Sequence, residues 1–239
     1  MAAQRTYVLV HGAWHGGWCW SRVAPLLRAA GHQVFTPTQT GLGERAHLMS
    51  AAITLETFVE DIANVIAAEE LSDVILVGHS FAGRSVCGVA DRMPDRLRRL
   101  VFVDAALPEK GKSAMDLTLP ELRAERLRLA QESSGGLSIP PPNAAAFGVT
   151  DAADAAWIER RLTPHPLATY MRPLALKHAI GNGVPASYIR CTDPAFANTA
   201  SSAAFARAQP GWTYLEIATG HDAMVSAPAE LSRMLLGMD

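Results

Sequence analysis

Ser80 lies in Gly78-His79-Ser80-Phe81-Ala82-Gly83, directly after the apolar run Val74-Ile75-Leu76-Val77 and ahead of a helical pattern. A strand, a sharp turn and a helix around G-x-S-x-G are the context of a nucleophile elbow, in which the serine is held exposed on a strained turn. Ala82 takes the fifth motif position and is small enough for that turn. A serine hydroxyl attacks a carbonyl only when a base removes its proton. Such chemistry therefore also needs a histidine, a carboxylate to orient it, and amide donors for the developing oxyanion.

Among the eight histidines, His221 fits the base. It follows the last expected strand, in Thr219-Gly220-His221-Asp222-Ala223-Met224, and chain order behind this elbow runs serine, acid, histidine. His32, His47, His165 and His178 read as structural histidines, His11 as a structural residue of the first loop, and His79 as support beside the nucleophile. The acid belongs between serine and histidine at a strand end. Asp193, two residues past an expected strand, is the preferred candidate by position, and Asp104, which ends the strand after the elbow helix, is the alternative. Asp222 is set aside, because side chains adjacent in sequence do not meet in the geometry required.

These residues need a scaffold that brings distant strand ends together. Expected strands at Thr6 to Val10, Gln33 to Thr36, Asp73 to Val77 and Leu100 to Val103 alternate with helical stretches at Trp18 to Ala30, from Thr54 and at Phe81 to Met93. That rhythm implies a parallel sheet covered on both faces. From Ala105 it breaks for about eighty residues, with helical pieces at Leu119 to Gln131 and Asp151 to Leu162 and no convincing strand, then resumes at Ala186 to Arg190, Phe196 to Ala208, Trp212 to Ile217 and Ala229 to Leu236. The expected organisation is a core of residues 1–104 and 185–239 with a helical cap, 105–184, inserted above the site. Leu107, Met115, Leu117, Leu119, Leu122, Phe147, Trp157, Leu162, Tyr170, Met171 and Leu174 of that segment, with Trp14, supply packing for the cap and an apolar lining for a pocket.

Composition narrows the partners. The 239 residues carry 21 Lys plus Arg against 23 Asp plus Glu, a net charge of −2, which gives no electrostatic reason to expect nucleic acid or an anionic membrane. No apolar run approaches the ~20 residues that span a bilayer, and no signal peptide is apparent. Cys19, Cys87 and Cys191 are scattered and odd in number, which points to reduced thiols in a cytoplasmic protein. The oligomeric state is open, a homodimer included.

His11-Gly12 after the first strand lacks the spacing of a dinucleotide fingerprint and resembles the loop that lends one oxyanion amide in α/β-hydrolases, here that of Ala13, with Phe81 supplying the second. Tyr7 to Trp18, the elbow, and Gly220-His221-Asp222-Ala223-Met224 together resemble the α/β-hydrolase group of plant methylesterases, hydroxynitrile lyases and bacterial pyrethroid-hydrolase-like esterases. The resemblance implies an α/β fold with about six mostly parallel strands, flanking helices and a helical cap after the strand ending at Asp104. It also places the acid shortly after a cysteine-bearing strand end, as in Cys191-Thr192-Asp193. The group's lyases use a threonine in the first loop and a lysine just after the catalytic histidine; this chain has Gly12 and Asp222-Ala223-Met224. The expectation is therefore a cofactor- and metal-independent serine carboxylesterase for small hydrophobic or aromatic esters, working through an acyl-enzyme. Lyase, lactonase or amidase chemistry on the same site, or a non-catalytic ligand receptor, are the alternatives.

Overall fold

The computed structural model describes residues 4–238. In chain order the elements are β1 (Thr6–Val10), α1 (Ala24–Ala29), β2 (Gln33–Phe35), α2 (Leu55–Ala68), β3 (Val74–His79), α3 (Ala82–Arg92) and β4 (Leu97–Val103). There follow α4 (Pro120–Ser134), β5 (Ser138–Ile139), α5 (Ala152–Glu159), β6 (His165–Pro166) and α6 (Ala168–Met171). The chain closes with β7 (Ala186–Cys191), α7 (Ala200–Ala208), β8 (Thr213–Ile217), α8 (Ala223–Ser226) and α9 (Pro228–Leu236).

Six strands form one sheet in the order β2-β1-β3-β4-β7-β8, every neighbouring pair parallel. β3 and β7 are buried throughout, as strands covered on both faces must be. Burial fades at the edges, where β2 and β8 alternate with exposed positions. The chain leaves β1 toward β2, then crosses back to β3 on the other side. The carboxyl ends of β1 and β3 thus flank the point at which the winding reverses, where open α/β sheets place their ligands.

α2 shows how sequence sets a helix here. Thr54 and Thr57 form a capping box, and Leu55, Phe58, Val59, Ile62 and Ile66 are the buried stripe, at the spacing of one helical face. The helix expected over Trp18 to Ala30 is split: a 3-10 turn covers Gly17–Trp20 and α1 begins only at Ala24. Pro25 is the reason, since a ring without an N–H is accommodated in a first turn and not in a helix interior.

After β4 the chain forms α4, α5 and α6, a 3-10 turn at Ala144–Phe147 and one short antiparallel pair, β5 with β6, joined by irregular stretches. It is tied to the first loop of the core. The Trp14 indole Nε1–H donates to the Ile139 carbonyl (3.0 Å), the Thr163 amide donates to the Trp14 carbonyl (2.9 Å), and His165 Nδ1 accepts from the Trp14 amide (3.3 Å). Among the described residues no helix is long and apolar enough to cross a membrane.

Candidate active site

Ser80 occupies the turn between β3 and α3 with a left-handed φ of 54°, a conformation that strains a residue bearing a Cβ. Backbone contacts hold it there. The Ser80 amide donates to the Val103 carbonyl (3.2 Å), and its own carbonyl accepts from the amides of Gly83 (3.1 Å) and Ala106 (2.8 Å). The glycine before it is a steric necessity: a Cβ on Gly78 would sit 2.7 Å from Cγ2 of Val86.

His221 Nε2 lies 2.7 Å from Ser80 Oγ, and His221 Nδ1 lies 2.6 Å from Oδ2 of Asp104. With Nδ1–H donating to the carboxylate, Nε2 is left to accept the serine proton. Phe196 stacks on the imidazole at 4.0 Å between centroids, and the His221 carbonyl accepts from His79 Nε2–H (3.0 Å). Ring and backbone of the base are both fixed.

The carboxylate that meets His221 is that of Asp104, the alternative candidate, and not that of Asp193, the preferred one. Asp104 follows β4, the strand hydrogen-bonded to β3, so its carboxylate emerges one strand away from Ser80. It is completely buried. Its Oδ1 accepts from Arg190 (2.6 Å) and from the hydroxyl of Thr199 (3.1 Å), and Arg190 also donates to Thr199. Burial pushes the Asp104 pKa up, but the hydrogen bond and charge of His221 and the charge of Arg190 outweigh it and hold the pKa below its ordinary value. Asp193 lies beyond β7 in an exposed turn; its amide donates to the Thr219 carbonyl (3.1 Å), and its side chain meets no partner among the described residues. The end of β7 contributes Arg190, which braces the Asp104 carboxylate. That brace was detectable in principle as the one charged residue inside a fully buried strand.

The first loop closes over the elbow from the β1 side. A Cβ on Gly12 would lie 2.8 Å from Cβ of Ser80 and 2.9 Å from Nδ1 of His79, so this loop touches the nucleophile and has no room for a side chain at residue 12. The amides of Ala13 and Phe81, both residues nearly buried, find no acceptor among the described residues, and an unpaired buried amide is costly unless a ligand completes it. Gly12→Ala is expected to displace the loop from Ser80 and lower kcat for a nitrophenyl ester by about 100-fold, the cost of an ångström-scale misplacement. Unaltered kcat in a variant with native circular dichroism would show the close approach to be unimportant.

Behind Ser80, His221 and Asp104 lies a second buried cluster, invisible in the sequence. His15 Nδ1 is 2.8 Å from the Ala13 carbonyl and Nε2 is 3.0 Å from Oδ2 of Asp222. Both partners are acceptors, an arrangement that favours hydrogen on both ring nitrogens and hence the imidazolium form of His15. Burial opposes that charge, but Asp222 overcomes it and raises the His15 pKa. Asp222, set aside as triad acid, is thus the counter-ion of this cluster. His79 and His11 differ: burial depresses each to a pKa of about 3 and keeps them neutral. His11 donates through Nδ1 to the Gly12 carbonyl (2.8 Å) and accepts the Gln39 amide at Nε2 (3.0 Å), which fixes its tautomer.

Above Ser80, the inserted segment contributes Ala114, Leu117, Thr118, Arg126, Phe147 and Tyr170 to a narrow chamber of about 40 Å³, completed by Trp14, Phe81, Arg84, Phe196 and His221 among others. A groove of about 280 Å³ between α4 and Pro140-Pro141-Pro142 shares Trp14, Arg126, Phe147, Phe196 and Asn198 with it. Leu117, Phe147 and Tyr170 thus face the chamber, whereas Leu119 and Met171 are exposed on the surface.

Comparison with known proteins agrees with this architecture. A family model described as the alpha/beta hydrolase family matches residues 7–234. A carbendazim hydrolyzing esterase of Nocardioides sp. (strain SG-4G) is 42% identical over 246 residues, covering 97% of this chain and 98% of the relative. Methylesterase 2 of Arabidopsis thaliana is 33% identical over 143 residues, 56% of this chain and 54% of its own. An extracellular alpha/beta-hydrolase from a Paenibacillus species, described as homologous in structure and function to tobacco salicylic acid binding protein 2, superposes with a TM-score of 0.83 at 27% identity, covering 98% of this chain and all of its own. The chain belongs to the alpha/beta hydrolase family.

Proposed function

We propose that the protein is a serine-dependent carboxylic ester hydrolase for small esters with an apolar or aromatic body, acting in the cytoplasm. The observation that carries the reading is the continuous relay from Ser80 Oγ through His221 to Asp104, at 2.7 and 2.6 Å. His221 removes the Ser80 proton as Oγ attacks the ester carbonyl. Asp104 orients the imidazole and stabilises the imidazolium, while the amides of Ala13 and Phe81 receive the oxyanion. The alkoxide leaves with the proton from His221, and water, activated by the same base, releases the acid from the acyl-serine. The aromatic walls of the chamber suit a planar or apolar substrate, and the relatives named as esterases agree in reaction class. The three cysteines are buried and unpaired, and burial raises the pKa of each thiol, as fits inert thiols of a reducing compartment.

A fluorophosphonate tests the nucleophile. One equivalent is expected to add mass to the peptide containing Ser80 and to abolish 4-nitrophenyl acetate hydrolysis in parallel. Label on another residue, or activity that survives complete labelling, rejects the reading.

A further inference from the structure

Arg84 lies in the first turn of α3, and it lines the chamber that holds Ser80 and His221. It is only 7% exposed. Among the described residues its guanidinium has no carboxylate and no hydrogen-bond acceptor; its contact is the ring of Phe81, 5.4 Å from Cζ. Burial pulls its pKa down to about 10. The other deeply buried charges are matched, Arg190 with Asp104 and His15 with Asp222, as burial of charge normally demands. Arg84 is the exception, and it is in the active site.

A second cation reinforces it. Arg126 enters the same chamber from α4, with Cζ 5.5 Å from the Trp14 ring and 5.2 Å from the Tyr170 ring, and one hydrogen bond to the Thr118 hydroxyl (3.1 Å). Phe81 and Tyr170 lie against each other at 4.6 Å, so the two guanidiniums flank an aromatic pair. The charge of Arg126 lowers the affinity of Arg84 for its proton, and the nearby acids are engaged elsewhere. Glu109, which exerts the weakest of the fields acting on Arg84, pairs with Lys112 (2.7 Å), and Glu125 pairs with Arg128 (2.8 Å). The chamber wall therefore carries uncompensated positive charge beside an apolar surface.

Building on the esterase reading, we propose that the site selects esters that bear a second, ionised acid group, such as a monoester of a dicarboxylic acid, with the free carboxylate held by Arg84 and supported by Arg126. A neutral ester would strip Arg84 of its remaining water and return at most an uncharged acceptor. A carboxylate would give a charge-assisted hydrogen bond and relieve the repulsion between the guanidiniums.

The test compares 4-nitrophenyl hydrogen glutarate with its neutral primary-amide counterpart of the same shape. The readout is the ratio of kcat/KM for the two within one enzyme preparation, which partial misfolding scales out. The wild type is expected to favour the anion by about ten- to a hundred-fold, the worth of one hydrogen bond to a charged group. Arg84→Met is expected to bring that ratio to about one, and Arg84→Lys to recover part of it. A wild-type ratio at or below one, or an unchanged ratio in Arg84→Met, overturns the proposal. Calorimetric titration of Ser80→Ala with both esters separates it from the esterase reading. Tighter binding of the anion that vanishes on adding Arg84→Met upholds the anion site even if the wild type turns over neither ester, and equal binding of the two rejects it.

Discussion

In Asp104→Asn, kcat for ester hydrolysis falls by about four orders of magnitude, in Ser80→Ala by at least as much, and in Asp193→Asn by no more than a few-fold. The contrast follows from who holds the imidazole. Oδ2 of Asp104 receives the Nδ1–H of His221 at 2.6 Å, which leaves Nε2 unprotonated toward Ser80. An asparagine amide can turn an N–H toward Nδ1 and so select the opposite tautomer, with hydrogen on Nε2 and no acceptor for the serine proton. It also removes the negative charge opposite the imidazolium and leaves Arg190 without its counter-charge. Asp193 is exposed, and its amide, not its carboxylate, makes the local hydrogen bond to Thr219. Saturation kinetics on 4-nitrophenyl acetate, with far-UV circular dichroism as the check on folding, measure all three. Loss of activity in Asp193→Asn with retention in Asp104→Asn would reverse the assignment.

The comparison of these two acids shows where sequence patterns stop being informative. The elbow was legible because its steric rules act within ten residues: β-branched strand, small flanks, helix. The strands were legible for the same local reason, and parallelism followed from their alternation with helices. Which strand end stands beside Ser80 depends on the lateral order β2-β1-β3-β4-β7-β8, a property of long-range pairing that no local pattern contains. Both aspartates end or follow strands on the same edge of the sheet, and only adjacency of β4 to β3 favours Asp104. The cap was less legible still. Its helices are short or weakly amphipathic in pattern, and its apolar residues divide between wall and surface according to how α4 and α6 lie over the sheet. Leu117 and Tyr170 face the chamber, while Met171, next to Tyr170, is exposed. The pair of His15 and Asp222, far apart in the chain, had no sequence signature either; adjacency to His221 drew attention to Asp222 for a different role from the one it has.

Asp222→Asn is expected to lower the unfolding free energy by about 3–5 kcal/mol, the usual cost of removing one partner of a buried ion pair. The geometry makes the loss one-sided. His15 keeps donating to the Ala13 carbonyl but faces a neutral amide at Nε2, 1% exposed and without a counter-charge. The pH dependence identifies the cause. The His15 pKa is raised on folding from 6.5, so its contribution is complete below that value and is lost as the pH rises through the folded pKa. The Asp222 pKa is lowered from 3.8, so its contribution is complete above that value and is lost as the pH falls through the folded one. The pair acts in full between 3.8 and 6.5. In the variant only the hydrogen bond to Ala13 still favours the charged ring, and burial, the larger effect, favours the neutral one, so protonation now opposes folding. The stability difference between wild type and Asp222→Asn should therefore be widest near pH ~5 and narrow steadily toward alkaline pH. Urea unfolding at a series of pH values measures it, and a difference that stays constant across the series would mean that His15 is not held as a cation. Because Ala13, which accepts from His15, also carries the amide proposed to bind the oxyanion, the same substitution should loosen the first loop. The variant that weakens this buried pair should then lose activity at temperatures where its circular dichroism is still native.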